Sequence, residues 1–153
     1  MCRENANIFY LTVDYDLPLE EMVRGQYEWA NSDIYLPSFA TKRSGKVKVS
    51  IELVCFGKGM QTDDVFSEFD ERGLRHAEPY ELLALGAKYP NIQREFPVVA
   101  LGACKRGDYN NARAVSLTGN SDCRNVHVHK LPDAFGRTHR FAAVHTRTII
   151  RFH

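Results

Sequence analysis

The stretch Gly73–Arg106, GLRHAEPYELLALGAKYPNIQREFPVVALGACKR, decides how the rest of the chain is read. Gly73 can end a preceding helix, because glycine enters the left-handed region with no Cβ to penalise it. Glu78 or Pro79 then opens a new helix, since proline's fixed φ suits a first turn whose N–H has no intrahelical partner anyway. Tyr80, Leu82, Leu83 and Leu85 form its body and Gly86 stands near its end. Pro90 marks the exit, and NIQRE reads as one more helical turn. Pro97–Cys104 (PVVALGAC) is a continuous apolar run, the pattern of a strand covered on both faces. No catalytic constellation lies within this middle stretch.

Upstream, Ile8–Asp14 (IFYLTVD) is aromatic and β-branched and reads as a strand. Asp16-Leu17-Pro18-Leu19-Glu20-Glu21 starts a helix running to about Trp29, with its acids near the positive end of the dipole. Asn31–Gly45 has the composition of a loop. Lys46–Phe56 alternates: Val47, Val49, Ile51, Leu53 and Cys55 share one face, and Lys46, Lys48, Ser50 and Glu52 the other, as in a half-buried strand. Gly57-Lys58-Gly59 turns, Thr62 caps a helix over Asp63–Arg72, and Val65, Phe66 and Phe69 supply its apolar stripe. Downstream, Arg113–Thr118, Asn125–Leu131 and Arg140–His153 are short alternating segments separated by turn residues. Helices early and strands late predict an α+β class. The expected architecture is one domain, residues 1–153, with a mixed or mostly antiparallel sheet and about three helices packed mainly on one face. Its core joins Val47 and Ile51 to Leu82 and Leu85.

The 153 residues, 44% hydrophobic and 25% charged, fit a single ordinary globular domain. No apolar run approaches the roughly 20 residues that span a bilayer, and MCRENANIFYL lacks the order of a secretory signal. Cytoplasmic residence and no membrane partner are the expectations. Cys2, Cys55, Cys104 and Cys123 show no CxxC and are read as thiols, not as a disulfide framework. Net charge is +1, yet residues 1–100 hold 11 Lys/Arg against 16 Asp/Glu, while residues 101–153 hold 9 against 3. Side-by-side packing of the two parts neutralises them; an exposed basic face would attract anions.

That basic third supplies the candidate ligand-binding residues: Arg113, Arg124, Arg137 and Arg140, interleaved with Tyr109, Phe135, Phe141 and Phe152. Arginine beside exposed aromatic rings on a sheet suits single-stranded nucleic acid, whose bases stack while phosphates pair with guanidinium groups. His127-Val128-His129 places two imidazoles on one strand face, with Cys123 four residues before His127; zinc needs three or four such ligands. The alternative is that Val126 and Val128 face the core and the histidines face water. The acids at Asp14–Glu21 and Glu68–Glu71 are explained by helix ends and solvated helix faces. Gly57-Lys58-Gly59 is a turn and not a phosphate loop. No cofactor is expected and no residue is given a catalytic role.

Gly73-Leu74-Arg75, Glu81-Leu82-Leu83, Pro90 and Phe96–Gly102, with Trp29–Ile34 and Arg140–Val144, resemble a family of small uncharacterised bacterial proteins. That resemblance implies a grouping and no mechanism. Arg75, Glu81 and Arg140–Val144 are also similar to the ending of C-type-lectin-like and formylglycine-enzyme-like domains, where a helix crosses a twisted sheet closed by the last strand. This chain departs from them in having a single Trp, Trp29, and no evident catalytic cysteine pair or calcium-ligand string. The likeness implies a binding module. A non-catalytic binding or interaction module for a protein or small-molecule ligand is therefore the leading expectation. A nucleic-acid-associated protein using the basic third is the alternative, and a metal-dependent enzyme around His127 and His129 comes third.

Overall fold

The structure, a computed structural model, describes residues 8–107 and 112–145, with backbone only at Ser38. In chain order the elements are β1 (Ile8–Asp14), α1 (Leu19–Val23), β2 (Trp29–Ala30), β3 (Lys46–Val54), β4 (Met60–Gln61), α2 (Thr62–Arg72), β5 (Arg75–His76), α3 (Pro79–Lys88), α4 (Ile92–Glu95), β6 (Val98–Ala100), β7 (Arg113–Gly119), β8 (Arg124–Lys130), β9 (Ala134–Phe135) and β10 (Arg140–His145). Two 3-10 turns, Ser32–Tyr35 and Pro37–Phe39, sit between β2 and β3.

The main sheet runs β1-β3-β10-β6-β7-β8-β2, with β5 paired to β10; β4 and β9 form a separate ribbon. Among the described residues β10–β6 and β2–β8 pair in parallel and the other pairs antiparallel, so the sheet is mixed and mostly antiparallel. This is the expected α+β domain. Strand β10 reaches the centre of the sheet, pairing Phe141–His145 antiparallel to β3 on one side and Arg140–Phe141 parallel to β6 on the other.

Both faces of the sheet are used. On one, Leu11, Val13, Ile51, Leu53, Val115 and Val144 pack against α1 and against Leu82, Leu83 and Leu85 of α3. On the other, Val54, Val99, Phe141 and Ala143 meet Val65, Phe66 and Phe69 of α2. The expected joining of Ile51 with Leu82 and Leu85 holds. Val47, however, is 42% exposed: with its side chain outside the shared core, it lies on the part of β3 that pairs the far end of β1. The strand outruns its helical cover.

Local chemistry corrects several boundaries. Helix α1 stops at Val23 and does not reach Trp29, because Gly25 takes φ +71 and Trp29–Ala30 leave to pair with β8. Thr62 is the first residue of α2 and not its cap; its hydroxyl donates to the Pro132 carbonyl at 2.6 Å, and its N–H to Asp133 O at 2.8 Å. The strand predicted over 97–104 spans only Val98–Ala100, since the chain turns at Leu101 to bring Gly102 against Ala77. Cys55 lies past the end of β3, half-buried, and is disulfide-bonded, contrary to the expectation of thiols throughout. Among the described residues no helix is long and apolar enough to cross a membrane. Residues 146–153, read as part of the last strand, lie outside the described residues.

One buried polar side chain ties layers together. Gln93, 1% exposed, donates through Nε2 to the carbonyls of Thr118 (2.8 Å) and Asn125 (3.2 Å), fastening α4 to β7 and β8. Leu83 is completely buried between α3 and the sheet. Truncating it to alanine is expected to cost about 2–5 kcal/mol, the range for a core leucine. Urea unfolding should show this as a lowered midpoint at unchanged slope.

Candidate functional site

A cleft of about 540 Å³ opens where β5, the start of α3, the Pro37–Phe39 turn and the residues after β6 meet. Its walls are Phe39, Ala40, Lys42, Arg43, Arg75, His76, Glu78, Pro79, Gly102 and Ala103. Its shape depends on a close backbone approach: Gly102 N–H donates to Ala77 O at 2.8 Å, and a Cβ at Gly102 would stand 2.4 Å from that oxygen. Glycine is the residue that fits there.

The cleft is held from beneath by one carboxylate. Glu81, on the first turn of α3, is completely buried. Its Oε1 accepts from Arg75 Nη1 at 3.0 Å and from the Glu78 N–H at 2.8 Å; its Oε2 accepts from Arg75 Nη2 at 2.8 Å and from the Tyr15 hydroxyl at 2.5 Å. A buried charge needs this many partners to offset its lost hydration. Burial, and then the hydrogen bond to Glu81, push the Tyr15 phenol up from its ordinary value. Burial alone would lower the Arg75 guanidinium, but the hydrogen bonds and charge of Glu81 outweigh it and raise it. At the cleft's rim Arg43 Nε donates to Glu78 Oε2 at 2.6 Å, which lies 3.8 Å from Arg75 Nη1.

Three buried polar atoms of this cleft find no hydrogen-bond partner among the described residues: Arg75 Nε and both ring nitrogens of His76. The His76 ring stacks on Phe69 at 3.7 Å between centroids and meets the edge of Phe66 at 5.0 Å. Burial pulls the imidazole down to about 4, so near neutral pH it carries one N–H and one lone pair. Native proteins rarely leave such groups unmatched.

The arginines singled out in the sequence do not converge on this cleft. Arg113 lies 3.7 Å from Asp33 in an exposed ion pair. Arg124 is 6% exposed; its guanidinium donates to the carbonyls of Gln26 and Gly86 and lies 4.7 Å from the centre of the Tyr27 ring, fastening the start of β8 to α3. Arg137 and Arg140 do come together, in a separate pocket with Glu95, Phe96 and Thr138. Val126 and Val128 face the core, leaving His127 and His129 on the outer face. His127 packs on Trp29 with ring centroids 5.1 Å apart. His129 Nδ1 donates to Lys130 O at 3.0 Å, so its Nε2 accepts from Ser116 Oγ at 2.8 Å. Cys123 points its thiol at Asn120 Oδ1, 3.5 Å away. No group of three or more His, Cys, Asp or Glu among the described residues is placed to hold a metal ion.

Sequence reasoning passed over the cleft because its residues had local explanations: Glu78 and Glu81 as the opening of a helix, Arg75 as part of a resemblance. The available signal was the run Arg75-His76-Ala77-Glu78-Pro79, three polar or charged groups crowded before an apolar helix.

Glu81→Gln is expected to destabilise the fold by about 3–5 kcal/mol, since it strips the charge partner from a half-buried guanidinium. Tyr15→Phe removes one hydrogen bond and should cost about 1–2 kcal/mol; urea unfolding of both variants checks the order. The His76 ring has its proton affinity lowered on folding, from 6.5 to about 4, so the unfolded chain binds more protons within that window. Stability must then fall as pH drops through it. His76→Phe keeps the ring stack and should remove about 1–2 kcal/mol of the difference between unfolding at about pH 5 and about pH 7.5. An unchanged pH profile in that variant would contradict a buried neutral imidazole. No family model, no curated protein and no solved structure matches the chain, so the reading of the site rests on its own geometry.

Proposed function

We propose that the protein is a non-catalytic binding module whose small polar ligand enters the cleft between β5, α3 and Gly102. One observation carries this reading: a concave cleft of about 540 Å³ is walled by Arg75, which Glu81 holds in a bidentate pair, together with the charged side chains of Lys42, Arg43 and Glu78. A few fixed polar groups are what orient a small molecule in a concave site. The remaining walls are largely apolar, from Phe39, Ala40, Pro79 and Ala103.

Binding fits the chemistry better than catalysis does. Both oxygens of Glu81 are committed to fixed donors, and an imidazole titrating at about 4 is a poor general base near neutral pH. What the network does well is hold Arg75 in one orientation, with its two Nη groups turned to Glu81. Preorganised donors raise affinity by lowering the cost of ordering. The nucleic-acid alternative draws less support, because Arg113 is paired and Arg124 is buried.

The test is a nitrogen-15 NMR screen of the chain against amino acids, hydroxy acids and short peptides. A binder should produce saturable shifts in the amides of Arg75–Glu78 and Gly102. Ala103→Trp, at an exposed wall position, should abolish them without lowering the unfolding midpoint. Shifts confined to another surface, or undiminished in Ala103→Trp, would overturn the assignment.

A further inference from the structure

A second pocket has a different chemistry. It measures about 520 Å³ and is lined by Cys55, Gly57, Glu95, Phe96, Arg137, Thr138 and Arg140. The turn between β9 and β10 supplies Arg137, the first residue of β10 is Arg140, and the end of α4 supplies Glu95. Arg140 is anchored by its backbone: its N–H donates to Pro97 O at 2.9 Å, and its Cα pairs in register with Val98. Its guanidinium lies over the Phe96 ring, 4.2 Å from the centroid. A cation over an aromatic face is held there by the ring's quadrupole. The Nε of Arg140 is buried and makes no hydrogen bond among the described residues. Neither Arg137 nor Arg140 forms an ion pair with a described residue.

Two guanidinium groups with no carboxylate within ion-pair distance among the described residues, one of them over an aromatic ring, share a concave surface with one exposed acid, Glu95, whose charge acts on Arg140. Such an arrangement recognises an oxyanion by charge-assisted hydrogen bonds. Thr138 adds a hydroxyl donor, so three separate side chains can meet the three terminal oxygens of a phosphate, whereas a carboxylate offers only two. We infer that the Arg137–Arg140 pocket binds the terminal phosphate of a small phosphomonoester. A nucleic-acid strand fits less well. It needs a line of backbone contacts and open aromatic faces, but the Phe96 face is covered by Arg140, and Arg113 and Arg124 do not extend the positive track. The inference stands apart from the cleft at Arg75 and shares no residue with it.

Phenyl phosphate, followed by phosphorus NMR and isothermal titration, is the probe. Saturable binding is expected, weakened roughly tenfold or more in Arg137→Gln and in Arg140→Gln, the range for losing one charged hydrogen-bond partner. Glu95→Gln should tighten it by about twofold or more, through removal of a like charge. Arg137 is exposed, so Arg137→Gln keeps the test valid should Arg140→Gln fold poorly. Three results would overturn the inference: no saturable binding, affinity unchanged in Arg137→Gln, or affinity lost instead in a Lys42→Gln, Arg43→Gln double variant. Tighter, Arg137-dependent binding of oligothymidylate than of phenyl phosphate would also overturn it, by assigning the pocket to a strand.

Discussion

The bidentate pair between Arg75 and Glu81 is the constraint on which the remainder of the structure leans. Glu81 belongs to the helix that covers one face of the sheet, and Arg75 to a two-residue strand hydrogen-bonded to β10 at the sheet's centre. A single contact thus fixes the helix to the sheet, the helix start to Tyr15 beyond β1, and the guanidinium to the floor of the cleft. Ionised groups removed from water are tolerated only when their partners are complete. Here Glu81 is complete. Arg75 Nε and the ring nitrogens of its neighbour His76 have no such partner among the described residues.

Patterns that depend on one element were legible in the sequence. The alternation of Lys46–Phe56 marked β3, and the Glu78-Pro79 start marked α3, because local rules decide both. The two-sided burial of Val98–Ala100 followed from an unbroken apolar run. Features that depend on distant partners were hidden. Nothing near Trp29 announces that it pairs beside Asn125, and nothing in Thr62 announces the Pro132 carbonyl that claims its hydroxyl. The same blindness governed the arginines: charge density suggested one surface, whereas the topology buried Arg124, paired Arg113 and gathered only Arg137 with Arg140.

The cleft was obscured for a further reason. Glu81 performs two duties at once, accepting from the N–H of the cap residue Glu78 and from Arg75. The first duty is readable from spacing alone; the second requires knowing that β5 runs alongside β10. His76 similarly looks like an ordinary residue ahead of a helix until Phe66 and Phe69 of α2 are seen to enclose it. Residues from both layers therefore meet at β5.

The placement of β10 between β3 and β6 has a consequence for how the chain is made. Synthesis delivers β1, β3, α2 and α3 well before residues 140–145, yet those residues supply the seam joining the two halves of the sheet. Until they emerge, the inner edges of β3 and β6 stand open, with unsatisfied backbone groups of the kind that recruit other chains. A nascent polypeptide stalled short of Arg140 would lack the strand that pairs with both half-sheets. Its vulnerable interval is the pause before that seam arrives, the window in which a chaperone has most to do.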